Sequence, residues 1–386
     1  MSHSEDPART PTGPQTPDAS TGPAVGVRVA VDATGGDFGA SEVVPGAIAY
    51  ARSNPVDQVI LCGDEAVIRP LLGDAPANVS VVHAPELIGM DEHPAKALVR
   101  KKRSSIVVAT ELVRDGKADA VVTAGHTGAG MAAGVLILGT LPGIDRPALA
   151  VQVPGGEPPL LLLDIGANPD STSENLAQYA RMGALFSEHV VGVRSPRVAL
   201  LSLGEERGKG DTRVKEATEL ISATDLNFVG NVEGKDLTAD MADVVVCDAM
   251  LGNVVIKFFE GLSTFIFDLW RDEFSGSLRG RLAYLLMRPS VGRIRGIFDY
   301  EKVGGSPLLG VRGTVIITHG RARRRMIAYG MEVAARTART GVPALIAESL
   351  AASRQAGVAH ATASADMPPP LGSPTASVVA NLPEEA

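Results

Sequence analysis

The chain has 386 residues, 36 Lys and Arg against 44 Asp and Glu, and a formal net charge of −8. Hydrophobic residues make up 45% and charged ones 21%, the balance of a globular protein with ample chain for a core. Mild acidity and 4% aromatics exclude a global basis for nucleic-acid binding, and two cysteines cannot frame a disulfide scaffold.

Residues 1–26 are rich in Ser, Thr, Pro, Asp and Gly and read as a disordered extension without the apolar segment of a signal peptide. Short Val/Ile/Leu runs follow: VRVAVDA (27–33), QVILCGD (58–64), VSVVHAP (79–85), ADAVVTAG (118–125) and LLLLDIGAN (160–168). The series continues with RVALLSLGEE (197–206), NFVGNVEG (227–234), ADVVVCDA (242–249) and GTVIITHG (313–320). Continuous apolar runs separated by helix-length segments predict a three-layer α/β domain over 27–344, its mostly parallel sheet covered on both faces. Cys62 and Cys247 each close such a run, as buried thiols of a reducing compartment do.

The longest uninterrupted apolar stretch, 131–141, is too short for a membrane span of about 20 residues. Residues 254–302 are different material. Val255, Phe258, Phe259, Leu262, Phe265, Ile266, Leu269 and Trp270 recur at three- and four-residue steps and predict one long helix with a wide apolar stripe. A polar break at 274–277 precedes a second helical pattern, LRGRLAYLLM, which Arg288-Pro289 is expected to end. From Arg279 to Lys302 six basic residues stand against two acidic ones. After 344 the chain turns to Ala, Ser, Thr and Pro, and 345–386 reads as a disordered tail.

Nearly every strand-like run ends in Gly, Asp, Asn, Glu or His, where ligands of open α/β sheets bind. TAGHTGAG (123–130) places Gly125, His126, Thr127 and Gly128 at a helix start, suited to an anion. LLDIGAN contributes Asp164 and Asn168; GEERGKG contributes Glu205 and Lys209; NVEGKD and DAMLGNVVIK contribute Asn231, Asn253 and Lys257. Lone carboxylates at such ends also serve as helix caps. The segment 94–105 concentrates Lys96, Arg100, Lys101, Lys102 and Arg103, and RARRR (321–325) follows His319; each suits a solvated face or a dock for phosphate groups or an acidic protein. No dinucleotide fingerprint, nucleophile elbow or zinc-ligand spacing occurs, so no metal or cofactor is expected.

Taken in order, VDATGGD, DEHPAKALVRKKRSS, TAGHTGA, GIDRPAL, LLDIGAN, LLSLGEERGKG, NVEGKD, DAMLGNVVIK and GGSPLLGVRGTVIITHG resemble the bacterial phosphate acyltransferase of phospholipid synthesis. The resemblance covers Val27 to Gly341 and departs at Thr34, His126 and Val303, where that family usually has Met, Asn and Tyr. It implies a fold like that of phosphotransacetylase and the isocitrate and isopropylmalate dehydrogenases. It also implies transfer of a long-chain acyl group from acyl carrier protein to inorganic phosphate. A homodimer, a projecting helical hairpin that touches the inner face of the membrane, and delivery to a glycerol-phosphate acyltransferase follow from the same resemblance. Phosphate is largely dianionic at neutral pH and a thiolate leaves readily, so binding and oxyanion stabilisation carry the reaction. On this basis Lys209 and the 123–128 amides would hold phosphate, Asn231, Asn253 or His319 would polarise the thioester, and Lys96, Arg100, Lys101 and Lys102 would dock the carrier. The competing expectations are an acyl-CoA donor, as in phosphotransacetylases, and a nicotinamide-dependent decarboxylating dehydrogenase on the related fold.

Overall fold

A computed structural model describes residues 26–89 and 91–352. Alternation along each strand builds the core. Five parallel strands, β1 (Arg28–Asp32), β2 (Gln58–Gly63), β3 (Val79–His83), β4 (Ala120–Thr123) and β11 (Thr314–Ile317), lie in the order β3-β2-β1-β4-β11. Val29, Val31, Leu61, Val122 and Ile316 face α1 (Ala40–Ser53) and α10 (Arg324–Thr340). Their neighbours in sequence, Ala30, Cys62, Val121, Val315 and Ile317, face α3 (Pro94–Arg100), α4 (Ser105–Arg114) and α5 (Thr127–Ala133). The shorter α2 (Glu65–Leu72) packs against β2 and the edge strand β3.

The second half repeats this arrangement with β6 (Leu160–Leu163), β9 (Val244–Val246), β7 (Val198–Leu201) and β8 (Phe228–Val232), mutually parallel. One face packs on α6 (Ser173–Phe186) and α7 (Thr212–Ser222); the other packs on the start of α8 (Ala249–Ser275). Leu161 and Leu163 face the first group, Leu160 and Leu162 the second. Helices on both faces make the domain three-layered, as the apolar runs require.

Two strands absent from the sequence reading join the halves. β5 (Ala148–Val153) and β10 (Ser306–Leu309) pair antiparallel with each other, and with β6 and β11 respectively, giving one sheet of eleven strands. A proline at its second position hides β10, since Pro cannot donate to a ladder.

The segment 254–302 forms two long helices, α8 and α9 (Leu278–Ile297), turning at Gly276 and Ser277. The second helix does not stop at Pro289 but runs eight residues beyond it, a correction to the expected end. Its surroundings accommodate the missing N–H because α9 buries no residue, Leu285 is exposed, and water can serve the unpaired carbonyl. The stripe on α8 divides. Phe259 and Phe267 stack on Phe298 at centroid distances of 6.1 and 6.4 Å, closing the hairpin base, and Phe274 meets Tyr284 near the tip. Phe258, Leu262, Phe265 and Leu269 stay exposed. Among the described residues α8 alone is long and apolar enough to cross a membrane, which the stretch 131–141 does not reveal. Its Lys257, Glu260, Asp268 and Arg271 interrupt the apolar surface, as in an interfacial helix.

A last helix, Val342–Ala352, extends past the expected boundary at 344 and buries Ile346 in the second core. The remainder of both expected tails lies outside the described residues.

Candidate functional site

The carboxyl ends of β1, β4 and β11 form one cluster. Thr318 N–H donates to the Thr123 carbonyl at 2.8 Å, which sets His319 beside the Gly125–His126 turn. The loop after β1 closes over both, with Asp37 N–H donating to the Gly320 carbonyl at 2.8 Å. Gly36 makes this closure possible: its φ is +88°, and a Cβ there would lie 2.9 Å from the Ala124 carbonyl. Beneath the loop sits Asp32, a buried carboxylate that sequence reasoning missed. Its Oδ2 accepts from the Thr123 hydroxyl at 2.7 Å, its Oδ1 accepts no hydrogen bond among the described residues, and burial pushes its pKa above the usual aspartate range.

His126 is the N-cap of α5, its Nδ1 accepting from the Gly128 amide at 3.0 Å. The Gly125 amide donates to the Thr123 hydroxyl at 3.0 Å. Two amides expected to cradle phosphate are therefore engaged inside the turn, and Thr127 is the residue exposed at the helix start.

His319 is half-buried, and its Nδ1 accepts from the Arg321 amide at 3.1 Å, leaving the proton of the neutral ring on Nε2. Burial first, and then the charge of Lys257, hold its pKa below the ordinary histidine value. Lys257 reaches this place from α8, where it pairs with Glu260 at 2.9 Å; Asn253 lies one turn earlier on the same face. Two candidates from separate motifs, Lys257 and His319, thus converge.

A cleft of about 670 Å³ opens between the halves. Gly128, Asn168, Asp145 and Arg146 line it, and Ala95, Met131, Val135, Leu136 and Leu308 form an apolar wall. Asp164 lies behind this surface, wholly buried. It accepts from the amides of Leu149, Gly166, Ala167 and Asn168 at 2.8–3.2 Å and from Asn168 Nδ2 at 3.1 Å. Burial raises its pKa and the four amides oppose the rise. The expectation that Asp164 binds substrate is corrected: both oxygens are consumed shaping the 164–168 turn. That turn presents Asn168, whose side-chain amide also donates to the Pro147 carbonyl and to the Tyr179 hydroxyl. Burial pushes the Tyr179 phenol up to about 12, so it stays neutral.

The remaining candidates lie together at the ends of β7 and β8. Asn231 is buried, its Nδ2 donating to the Glu206 carbonyl at 3.2 Å, so this amide supports the 204–210 loop rather than a thioester carbonyl. Lys235 bridges Glu205 and Glu233 at 3.0 and 2.8 Å. Lys209 is exposed, makes no ion pair among the described residues, and is not part of the cleft wall. No described group of three or more His, Cys, Asp or Glu side chains could hold a metal ion.

Of the basic segment, Lys101 and Arg100 both pair with Glu92, and the Lys101 hydrogen bond, followed by that of the Gly89 amide, pulls this carboxyl down to about 2. Lys96 and Lys102 remain exposed and without ion pairs among the described residues. In the other basic run, Arg324 pairs with Glu42, and Arg325 with Asp299 and Glu301 at the hairpin base.

The family described as "Fatty acid synthesis protein" matches residues 27–345. A phosphate acyltransferase from Nitratidesulfovibrio vulgaris is 45% identical over 311 residues, covering 80% of this chain and 90% of that protein. One from Desulfitobacterium hafniense is 44% identical over 318 residues, covering 82% and 95%. Among solved structures, a phosphotransacetylase from Streptococcus pyogenes superposes with a TM-score of 0.56 at 18% identity, covering 81% of this chain and 94% of that one, which shows a shared fold.

Proposed function

The chain belongs to the bacterial phosphate acyltransferase family, and we propose that it moves a long-chain acyl group from acyl carrier protein to inorganic phosphate. It is an acyltransferase of fatty acid and phospholipid synthesis, and phosphate is its acceptor. A phosphate oxygen attacks the thioester carbonyl, the carbon–sulfur bond breaks, and the carrier leaves as a thiolate that takes a proton from solvent. This needs no covalent enzyme intermediate, in keeping with a site that supplies cations, a neutral imidazole and helix ends.

One observation carries the choice of donor. Ala95, on the wall of the cleft, adjoins Lys96 on α3, and Lys102 follows at the end of the same segment. An acidic carrier docked on these exposed cations would deliver its acyl thioester at the mouth of an apolar-walled cleft. The exposed apolar face of α8, and five arginines of α9 without a carboxylate partner among the described residues (Arg279, Arg281, Arg288, Arg293, Arg295), suit a homodimer contact and an anionic membrane surface. Acyl phosphate is an amphiphile best released there to a glycerol-phosphate acyltransferase, which favours a site of action at the inner face of the membrane.

The test incubates the purified chain with phosphate and either acyl carrier protein thioester or acyl-CoA, trapping acyl phosphate with hydroxylamine. Product from the carrier thioester at low ionic strength, declining with salt, is the expected result. Equal or faster turnover of acyl-CoA, insensitive to salt, would replace the carrier by the coenzyme.

A further inference from the structure

The cleft between the halves is lined by one guanidinium, that of Arg146, which forms no ion pair among the described residues. Arg146 is exposed on the cleft wall just before β5, and makes no hydrogen bond or ion pair among the described residues. Three other arginines of this half are engaged, Arg181 with Asp225, Arg197 with Asp240 and Asp243, and Arg213 with Asp211, whereas Arg194 and Arg207 lie outside the cleft wall. Arg312, close by, donates to the Thr140 carbonyl on the same wall. Asp145 also lines the cleft without bridging its neighbour, so the five guanidinium donors of Arg146 stay available while one carboxylate disfavours a second anion there.

The surroundings specify the ligand. Asn168 lines the same cleft, fixed by its contacts to Asp164, Pro147 and Tyr179. Next to these groups the wall becomes apolar through Met131, Val135, Leu136 and Leu308. A planar cation beside an aliphatic surface is what a tetrahedral oxyanion attacking a fatty acyl carbonyl requires: a fork for two oxygens and a dry channel for the chain.

We propose that Arg146 is the phosphate-binding residue of this cleft, gripping the attacking dianion through its guanidinium while the acyl chain lies along the apolar wall. The proposal rests on phosphate being the acceptor, and it displaces Lys209, on the 204–210 loop away from the cleft, from that role.

Three full-length variants, Arg146→Gln, Arg146→Lys and Lys209→Ala, are assayed with phosphate varied at saturating acyl donor and then with donor varied at saturating phosphate. Loss of a charge-assisted bidentate contact raises the KM for phosphate at least about tenfold in Arg146→Gln. The KM for donor should stay within about twofold, and Arg146→Lys should recover only part of the loss, because an ammonium is a point charge without a fork. Phosphate alone, titrated against thermal unfolding, should stabilise wild type and fail to stabilise Arg146→Gln, a readout independent of turnover. An unchanged phosphate KM in both Arg146 variants, or a rise confined to Lys209→Ala, would overturn the assignment. Wild type that binds phosphate through Arg146 yet makes no acyl phosphate would sink the acyltransferase reading and leave the anion site standing.

Discussion

Replacing Asp164 with Asn preserves the side chain's shape and reverses the polarity of one end. In the native turn Oδ1 accepts from Leu149, Gly166 and Ala167 at 3.0, 3.2 and 3.0 Å, while Oδ2 accepts from Asn168 N and Nδ2 at 2.8 and 3.1 Å. The amide oxygen of Asn takes the side with three donors. Its NH2 then faces two more N–H groups, so the Asn168 main-chain amide loses its acceptor and Asn168 Nδ2 loses one of three. A buried donor stranded in this way costs about 1–3 kcal/mol. Asn168 Nδ2 retains the Pro147 carbonyl and the Tyr179 hydroxyl, so its share falls at the low end. The sum is about 2–4 kcal/mol off the unfolding free energy, to be read from urea denaturation followed by far-ultraviolet circular dichroism. Because neither oxygen faces the cleft, the KM for phosphate, measured where the variant is still folded, should remain within about threefold of wild type. A variant as stable as wild type with a phosphate KM raised tenfold or more would refute the reasoning and return Asp164 to the substrate.

His319 is held below the ordinary histidine pKa by burial and then by Lys257, so its protonation is deferred on acidification; the acid limb of kcat should fall below pH 6.5, and Lys257→Met should move that limb upward. A limb unmoved by the Lys257 change would show that another group controls it. His126→Asn should keep activity within about twofold, since Asn is among the best N-cap residues, while His126→Ala should lose about 1 kcal/mol of stability. A hundredfold loss of turnover in His126→Asn would instead mark the imidazole as a participant. Charge reversal of Arg279 and Arg281 combined with Leu285→Glu should abolish co-sedimentation with anionic vesicles yet spare turnover of a soluble donor; sedimentation that persists would place the membrane contact elsewhere.

What the sequence disclosed and what it hid follow from the range of the interactions involved. The parallel strands are continuous apolar runs with polar ends, so β1, β4, β6 and β9 and the turns behind them are legible locally. β10 begins Ser306-Pro307, and only its place between β11 and β5 makes it a strand. The convergence of Lys257 and His319 is likewise invisible in their separate motifs, because it depends on α8 passing from the end of β9 to the end of β11. Asp164 and Asn231 looked like reactive strand-end groups and prove to be fasteners, a distinction set entirely by which N–H and C=O groups fold onto them. Arg146 sat unremarked inside GIDRPAL, since an arginine's worth as an anion ligand depends on its lacking a carboxylate, a fact about space rather than sequence.

The same helix that completes the site also leaves it. α8 starts at Asp248, whose carboxylate caps the amides of Met250 and Leu251 at 2.9 and 3.0 Å and thereby fixes the helix to the end of β9. Gly252 makes the next contact possible: a Cβ there would lie 1.9 Å from the Asp164 carbonyl, so the helix and the 164–168 turn are in direct backbone contact. Asn253 and Lys257 then present the polar face, Phe259 closes the hairpin base, and the rest projects as an exposed apolar surface. The turn carrying Asp164 and Asn168 thus packs against the root of α8, the helix that also carries the lysine beside His319 and continues into the hairpin. A contact that reorients the arm must therefore act on Lys257 or be absorbed by bending α8. The physical consequence is that hairpin surface and catalytic geometry are not separable modules in this fold, and a substitution near the root of α8 will register in both.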